Sequence, residues 1–169
     1  MRHRHTMKDL NTYVKIYKEQ LDKGDIQNAY AGIVKYVTRL GTILSKSLAD
    51  KYSFGGLLQG YMDYTYIYYS NDFLKNRKLK MGLVLNHTDM RFEVWLLGQT
   101  IPVQKKYWQY FKDTTWNSGR TEMPQYSIVE VVLVESPDFN DLDALTKQIE
   151  DKLIAITEKL QKDISTSGL

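Results

Sequence analysis

The 169-residue chain contains no cysteine, which excludes a disulfide, a thiol nucleophile and a thiolate metal site. No apolar run approaches the ~20 residues of a membrane-spanning helix, and no signal peptide is visible, so we expect a cytoplasmic protein without a membrane segment. Glycine-rich phosphate loops, the GxSxG elbow and the HExxH zinc motif are also missing. No motif therefore predicts a cofactor or a metal, and the common nucleotide, serine-hydrolase and zincin chemistries are excluded.

An excess of charge of one sign is missing as well. The chain has 23 basic and 20 acidic residues, a formal charge of +3, and Arg2 and Arg4 lie in its first six residues. We interpret this segment, MRHRHT, as disordered or as a cloning remnant, because a second methionine, Met7, follows it. Without its two arginines the charge falls from +3 to +1, so we do not expect nucleic acid as a partner.

Residues 80–99, KMGLVLNHTDMRFEVWLLGQ, are the most informative segment and predict a β-hairpin with its turn at Thr88 and Asp89. Directly opposed residues of an antiparallel pair point to the same side of the sheet. One face is then wholly apolar and is predicted to be core: Met81, Leu83, Leu85, Phe92, Val94 and Leu96. The other face pairs Asn86 with Arg91, Val84 with Glu93, and Gly82 with Trp95. The hairpin thus separates a core from a polar and aromatic surface.

Helical periodicity appears at both ends of the chain and after the hairpin. The predicted helices cover residues 7–22, 25–49, 103–113 and 140–161. Thr6 is the predicted N-cap of the first helix, and Gly24 is its predicted C-terminal cap. Asn140 or Asp141 is the predicted N-cap of the last one.

Two further strands are predicted, over residues 58–69 and 126–135. The first carries Tyr61, Asp63 and Thr65 on one side, and the second is a nearly continuous apolar run typical of a central strand covered on both faces. The order is therefore α-α-β-β-β-α-β-α, an α+β or mixed α/β fold with a mainly antiparallel sheet covered by helices. We expect a single globular domain over residues 7–163 and a frayed tail over residues 164–169.

The polar face of the hairpin is the best candidate for a ligand-binding site. Alternation puts Arg91, Glu93 and Trp95 on one side of their strand, near Tyr61 and Asp63 of the preceding strand. A ligand site would use Trp95 as a stacking wall, Arg91 for an anion, and the carboxylates for a cation or for acid–base work. The alternative is a structural salt bridge between Arg91 and Glu93 or Asp63.

Two other features have residue types that can bind a ligand or a metal. The segment KKYWQYFK interleaves lysines with aromatic residues, as single-stranded nucleic-acid sites do. On a helix Tyr107 is expected to point inward, whereas Trp108 adjoins the lysine face and is kept as a candidate ligand-binding residue. His87, beside the hairpin turn, has no second internal histidine to share a metal, so no metal site is predicted.

Four segments, LDKGDIQNAY, QGYMDYTY, RFEVWLLG and KKYWQYFK, together resemble an uncharacterised family of small bacterial proteins, a domain of unknown function. The resemblance extends from about Met7 to Leu160. It implies a cytosolic, single-domain bacterial protein and supplies no activity, cofactor or catalytic residue.

The order of elements is also similar to the core of the restriction-endonuclease-like fold. In that fold an Asp and an acidic-x-Lys triplet hold Mg²⁺. The matching carboxylates here would be Asp63 and Glu93, but Trp95 stands in place of the lysine. Lys80, on the neighbouring strand, would have to substitute for it.

Three hypotheses follow from these patterns. The leading one is a small cytosolic domain, without enzymatic activity, that binds a small ligand or a protein partner through a polar-aromatic pocket on the sheet. The alternative is a metal-dependent enzyme resembling the restriction-endonuclease-like fold, with an atypical or inactive site. The third is a homodimer, a homo-oligomer formed through the tyrosine-rich strand or the last helix.

At ~150 mM salt we expect no nanomolar binding to duplex DNA, because a protein with a net charge near zero releases few counterions. Fluorescence anisotropy with a labelled duplex across a salt series measures this. Any binding should be weak and should disappear as the salt concentration rises. Nanomolar affinity at physiological salt would contradict the expectation.

Overall fold

The structure is a computed structural model that describes residues 6–169. It has two units, a helical one that ends at Tyr36 and an α+β one from Val37 to Leu169. The elements in chain order are α1 (Leu10–Lys23), α2 (Asp25–Ser47), β1 (Ser53–Gln59), β2 (Tyr64–Ser70), α3 (Asp72–Lys75), β3 (Leu79–Asn86), β4 (Arg91–Gly98), α4 (Ile101–Phe111), a 3-10 turn (Thr115–Asn117), β5 (Val129–Val134) and α5 (Leu142–Ser167). The predicted α+β class is confirmed. In the described part of the chain, no helix combines the length and the apolar character needed to cross a membrane.

The helical unit begins with α1, whose N-cap is Asp9 and not the predicted Thr6. The Asp9 carboxylate accepts the backbone N–H of Thr12 at 2.9 Å. Gly24 ends the helix in the left-handed region with φ +80°, as predicted, and α2 begins at the next residue. None of the residues of α1 is buried. The segment MRHRHT, predicted to be disordered or a remnant, lies outside the described residues except for Thr6.

The sheet has five strands in the order β1-β2-β3-β4-β5, and every neighbouring pair is antiparallel. The predicted hairpin register is confirmed throughout: Gly82 pairs with Trp95, and Leu85 pairs with Phe92. At the turn, the Asn86 side-chain oxygen accepts the backbone N–H of Asp89 at 3.2 Å. The hairpin therefore folds as its sequence pattern predicts.

The single strand predicted over residues 58–69 is wrong, because a turn divides this stretch into β1 and β2. The Gly60 N–H donates to the carbonyl of Tyr64 at 2.8 Å, and Met62 takes a positive φ of 61°. A Cβ at Gly60 would collide with the Asp63 carboxylate, so the turn requires glycine there. The turn also puts Thr65 on the core side, fully buried, and separates it from Tyr61 and Asp63.

The central position predicted for the strand over residues 126–135 is also wrong. β5 is an edge strand that pairs only with β4, and Val132 on it is 39% exposed. Since β4 and β5 are antiparallel neighbours, α4 joins them without a crossover. The apolar run is instead explained by burial near its two ends, since Ile128, Val129, Leu133 and Val134 are each at most 4% exposed.

The core of the α+β unit lies between the apolar hairpin face, the part of α2 from Val37 onward, and α5. The six predicted core residues are each at most 1% exposed: Met81, Leu83, Leu85, Phe92, Val94 and Leu96. A Cβ at Gly41 of α2 would lie 2.7 Å from the Cδ1 of Ile67, so this glycine lets the helix approach β2 closely. The last helix, α5, has Asp141 as its N-cap, as predicted, and runs to Ser167, past the predicted end. On this helix the hydroxyl of Thr157 shares a hydrogen bond of 2.8 Å with the hydroxyl of Tyr69 on β2. Because these contacts lie on the core side of the sheet, the opposite face is left for a site.

We expect Phe92→Ala to lower the free energy of unfolding by about 3–5 kcal/mol, because it leaves a cavity in a well-packed core. Phe92 is fully buried, whereas Val132, on β5 in the same sheet, is 39% exposed. Val132→Ala is therefore the matched control and should cost less than about 1 kcal/mol. Urea denaturation of both variants measures the difference. Similar small losses in both would contradict this description of the core.

Candidate functional site

Aromatic residues dominate the face of the sheet opposite the core. Tyr64, Tyr66 and Tyr68 alternate along β2 and are all half-buried. They pack against a small buried cluster formed by Val84, Trp95 and Leu97 from β3 and β4. Because side chains alternate along a strand, each of these residues points away from the core. The face therefore carries a continuous apolar and aromatic surface across three strands.

This face holds a pocket with a volume of about 320 Å³. Its lining residues are Gly60, Tyr61, Asp63, Tyr64, Tyr66, Tyr68, Lys80, Gly82, Val84, Trp95, Leu97, Gly98 and Tyr126. The volume is at the lower end of the range of small-molecule sites.

Gly82 forms the floor of the pocket. It pairs with Tyr68 on one side and with Trp95 on the other, so the three residues lie in one row across the sheet. Strands lie about 4.8 Å apart, so the two aromatic side chains start roughly 10 Å from each other. A Cβ at Gly82 would lie 3.3 Å from the Cδ1 of Leu97 and 3.9 Å from the Tyr68 ring. Gly82 is thus buried beneath neighbouring side chains, and a larger residue there would push against Leu97 and Tyr68, which line the pocket.

Edge-to-face contacts orient the aromatic rings that line the pocket. The Tyr64 and Trp95 centroids are 5.0 Å apart at 72°, and those of Tyr66 and Tyr68 are 5.3 Å apart at 62°. Burial raises the pKa of Tyr64, and the carboxylates of Glu130, Glu93 and Asp63 raise it further. Burial likewise raises the pKa of Tyr68. Both hydroxyls are protonated at neutral pH, as a tyrosine with the ordinary pKa of 10.0 already is, and can donate hydrogen bonds.

A buried carboxylate holds the indole of Trp95. The Nε1 of Trp95 donates to the Oε1 of Glu93 at 2.8 Å, while the Nε of Arg91 donates to the Oε2 at 2.8 Å. Asn86 donates to the same Oε2 at 3.1 Å. A buried carboxylate requires such partners, because an unpaired charge there is costly. Since Glu93 has both oxygens engaged, it fixes the ring that forms one wall of the pocket.

Arg91 pairs with Glu93 at 2.8 Å and is not among the residues that line this pocket. Its guanidinium also pairs with Glu135 at 3.4 Å and with Asp89 at 3.8 Å, towards the hairpin turn. The hydrogen bond to Glu93, together with these charges, raises the pKa of Arg91. Arg91 and Glu93 therefore support the pocket from outside and do not line it.

The residues of the nuclease-like alternative are not brought together in one cavity. Asp63 lies in the turn before β2, where its Oδ1 accepts the N–H of Tyr64 at 2.8 Å. Asp63 and Lys80 line the pocket, but Glu93 does not. Over residues 6–169 no group of three or more His, Asp or Glu side chains is arranged to hold a metal ion. No observation favours the enzyme alternative.

The other predicted ligand-binding residues have separate positions. Tyr61 lines the pocket at its rim and is 98% exposed, whereas Trp108 is buried on α4 and does not line it. Sequence reasoning missed the three alternating tyrosines of β2 and Tyr126. The spacing of Tyr64, Tyr66 and Tyr68 was a usable signal. In an unbroken strand that carries Tyr61, Asp63 and Thr65 on the site side, these three tyrosines would lie on the opposite face, so the alternation alone points to the wrong side of the sheet.

His87 links the hairpin turn to the turn before β2. Its Nε2 shares a hydrogen bond of 2.8 Å with the hydroxyl of Thr65, and its N–H donates to the Asp63 carbonyl at 2.9 Å. Burial lowers the pKa of His87, and the nearby Asp63 carboxylate opposes this in part. This end of the pocket is therefore tied to the hairpin.

One family matches the chain in comparisons with known proteins. The model of a family described as "Domain of unknown function (DUF7000)" matches residues 10–164. Neither a curated protein nor a solved structure matches the chain. The chemistry of the site therefore has to be argued from its own residues.

We expect the pKa of His87 in the folded protein to be below 6.5, its ordinary value, because burial disfavours the imidazolium. The unfolded chain then takes up the proton first, so His87 contributes full stability above pH 6.5 and this contribution falls as the pH drops through 6.5 to the folded pKa. Two-dimensional NMR titration of the imidazole measures the pKa directly.

The variant His87→Gln is the control for the linkage. It should remove this component from the dependence of the melting temperature on pH between about 7 and 5. A folded pKa above the ordinary value would contradict the prediction.

Proposed function

We propose that this chain, which belongs to the DUF7000 family of domains of unknown function, is a small-molecule-binding domain. Its ligand is a planar and largely apolar organic molecule that lies on the aromatic face of the sheet. The cytoplasmic location expected from the sequence remains part of this proposal.

The observation that carries the proposal is the aromatic lining of the pocket. Tyr68 and Trp95 lie on either side of Gly82 in one row across the sheet, and all three residues line a pocket of about 320 Å³. Aromatic rings attract other flat rings by stacking and edge-to-face contact, with little polar cost. A flat molecule can contact both side chains at once and displace water from apolar surface.

The orientation of Trp95 before binding supports the same conclusion. Its indole N–H is bonded to Glu93, whose other oxygen is held by Arg91 and Asn86. A side chain that is already ordered loses little further entropy when a ligand arrives. The pocket is therefore preorganised on the side of Trp95.

Polar groups at the edges give the pocket directional contacts. The phenol groups of Tyr64 and Tyr68 are protonated at neutral pH, as tyrosines ordinarily are, and burial raises their pKa further. They can donate hydrogen bonds to polar substituents at the rim of a flat ligand. A small number of polar groups around an apolar surface is typical of small-molecule sites.

Binding of a neutral naphthalene fluorophore, 6-propionyl-2-(dimethylamino)naphthalene, tests the proposal through its blue-shifted emission. Gly82→Val pushes a side chain against the residues that line the pocket, so we expect the Kd of the fluorophore to rise about tenfold, the equivalent of losing about one ring contact on each side. Gly82 has no positive φ, so valine causes no backbone strain there, but its Cβ would lie 3.3 Å from Leu97, which has to shift slightly. A thermal melt of the variant checks that it folds.

Gly56→Val is the matched control, because it places the same side chain on β1 where a Cβ meets nothing within 4 Å. It should bind the fluorophore as the unaltered protein does. Equal affinity in all three proteins, or no binding to the unaltered protein, would refute the pocket as a ligand site.

A further inference from the structure

The charged residues that line the pocket lie at its two ends. They are Asp63, which comes directly before Tyr64, and Lys80, which comes two residues before Gly82 on β3. Gly82 pairs with Tyr68, so Asp63 and Lys80 are separated by about seven strand positions, or roughly 20 Å at 3.3 Å per residue. The carboxylate of Asp63 therefore cannot neutralise the ammonium of Lys80.

Lys80 is a half-buried cation without a carboxylate partner. Its Nζ lies 3.7 Å from the centroid of the Tyr68 ring, and no ion pair in the described part of the chain includes it. Burial lowers the pKa of Lys80 because the ammonium loses part of its hydration. An anion beside the Nζ would compensate for that lost hydration.

Arg91, the other cation of this face, is already neutralised. It pairs with Glu93 at 2.8 Å, Glu135 at 3.4 Å and Asp89 at 3.8 Å, and it does not line the pocket. An anion that enters the pocket thus meets Lys80. This reverses the assignment suggested by the sequence, in which Arg91 would bind the anion.

The position of Lys80 also limits the chemistry of the anion. Lys80 and Gly82 point to the same side of β3, so their Cα atoms are about 7 Å apart. The anionic group must therefore be attached directly to the flat ring or within one or two bonds of it. A single ammonium matches a monoanion better than a phosphate dianion, which proteins usually surround with several donors.

We propose that the ligand is an aromatic carboxylic acid, whose ring lies in the pocket against Tyr68 and Trp95 and whose carboxylate binds the Nζ of Lys80. This inference rests on the proposed binding function and names the ligand class of the same pocket. Lys80 is then the specificity-determining residue, and the aromatic residues supply the contact area.

The test compares 2-naphthoate with its neutral isostere 2-naphthamide, each displacing the neutral fluorophore at pH 7.5. The unaltered protein should bind the naphthoate about tenfold more tightly, as expected for a hydrogen bond between charged groups. This preference should shrink as salt is added. Lys80→Met should bind both compounds with the affinity of the amide, since methionine keeps most of the apolar stem.

Lys105→Met is the matched control, because Lys105 is exposed on α4 and does not line the pocket. It should keep the full preference for the naphthoate. Equal binding of acid and amide by the unaltered protein, with both blocked by Gly82→Val, would overturn the aromatic-acid class and leave the binding function intact. If neither compound nor the fluorophore binds, both proposals fail. A preference for the acid that survives Lys80→Met would also overturn the role of Lys80.

Discussion

The register between β3 and β4 is the constraint on which the rest of the structure depends. Because opposed residues share a face, this register sends Leu85 and Phe92 together into the core and Gly82 and Trp95 together to the other side. A slip of one residue would exchange the faces and expose the apolar set. The burial of that set beneath α2 and α5 therefore also determines where the pocket lies.

The buried carboxylate of Glu93 links the architecture to the candidate site. It needs partners in a nearly dry position, and Arg91, Asn86 and Trp95 provide them. As a result one cation is used for structure and the indole is fixed at the wall of the pocket. Lys80, on the same face, has an aromatic ring beside it and no carboxylate. Arg91 therefore has a structural role because it lies near carboxylates, whereas Lys80 does not have one and faces the pocket.

Much of the fold was predictable because it follows from the short-range spacing of apolar and polar residues. The hairpin register, the C-terminal cap at Gly24 and the helix that begins after Asp141 all follow from local patterns. Two features of the sheet were not predicted correctly: the turn around Met62 and the edge position of β5. The turn depends on a close approach of Gly60 to Asp63, and an edge position depends on which strands become neighbours. Neither is encoded in the alternation of a single segment.

The sequence by itself determined the α+β class, the two faces of the hairpin and the presence of Trp95 opposite Gly82. Local alternation suffices for these, since a strand has only two sides. Only the tertiary structure decided that Tyr68 lies across Gly82 from Trp95, that Arg91 is occupied by carboxylates, and that Lys80 is not. These facts depend on strand pairing and on distances between residues far apart in the chain, which spacing along one segment does not contain.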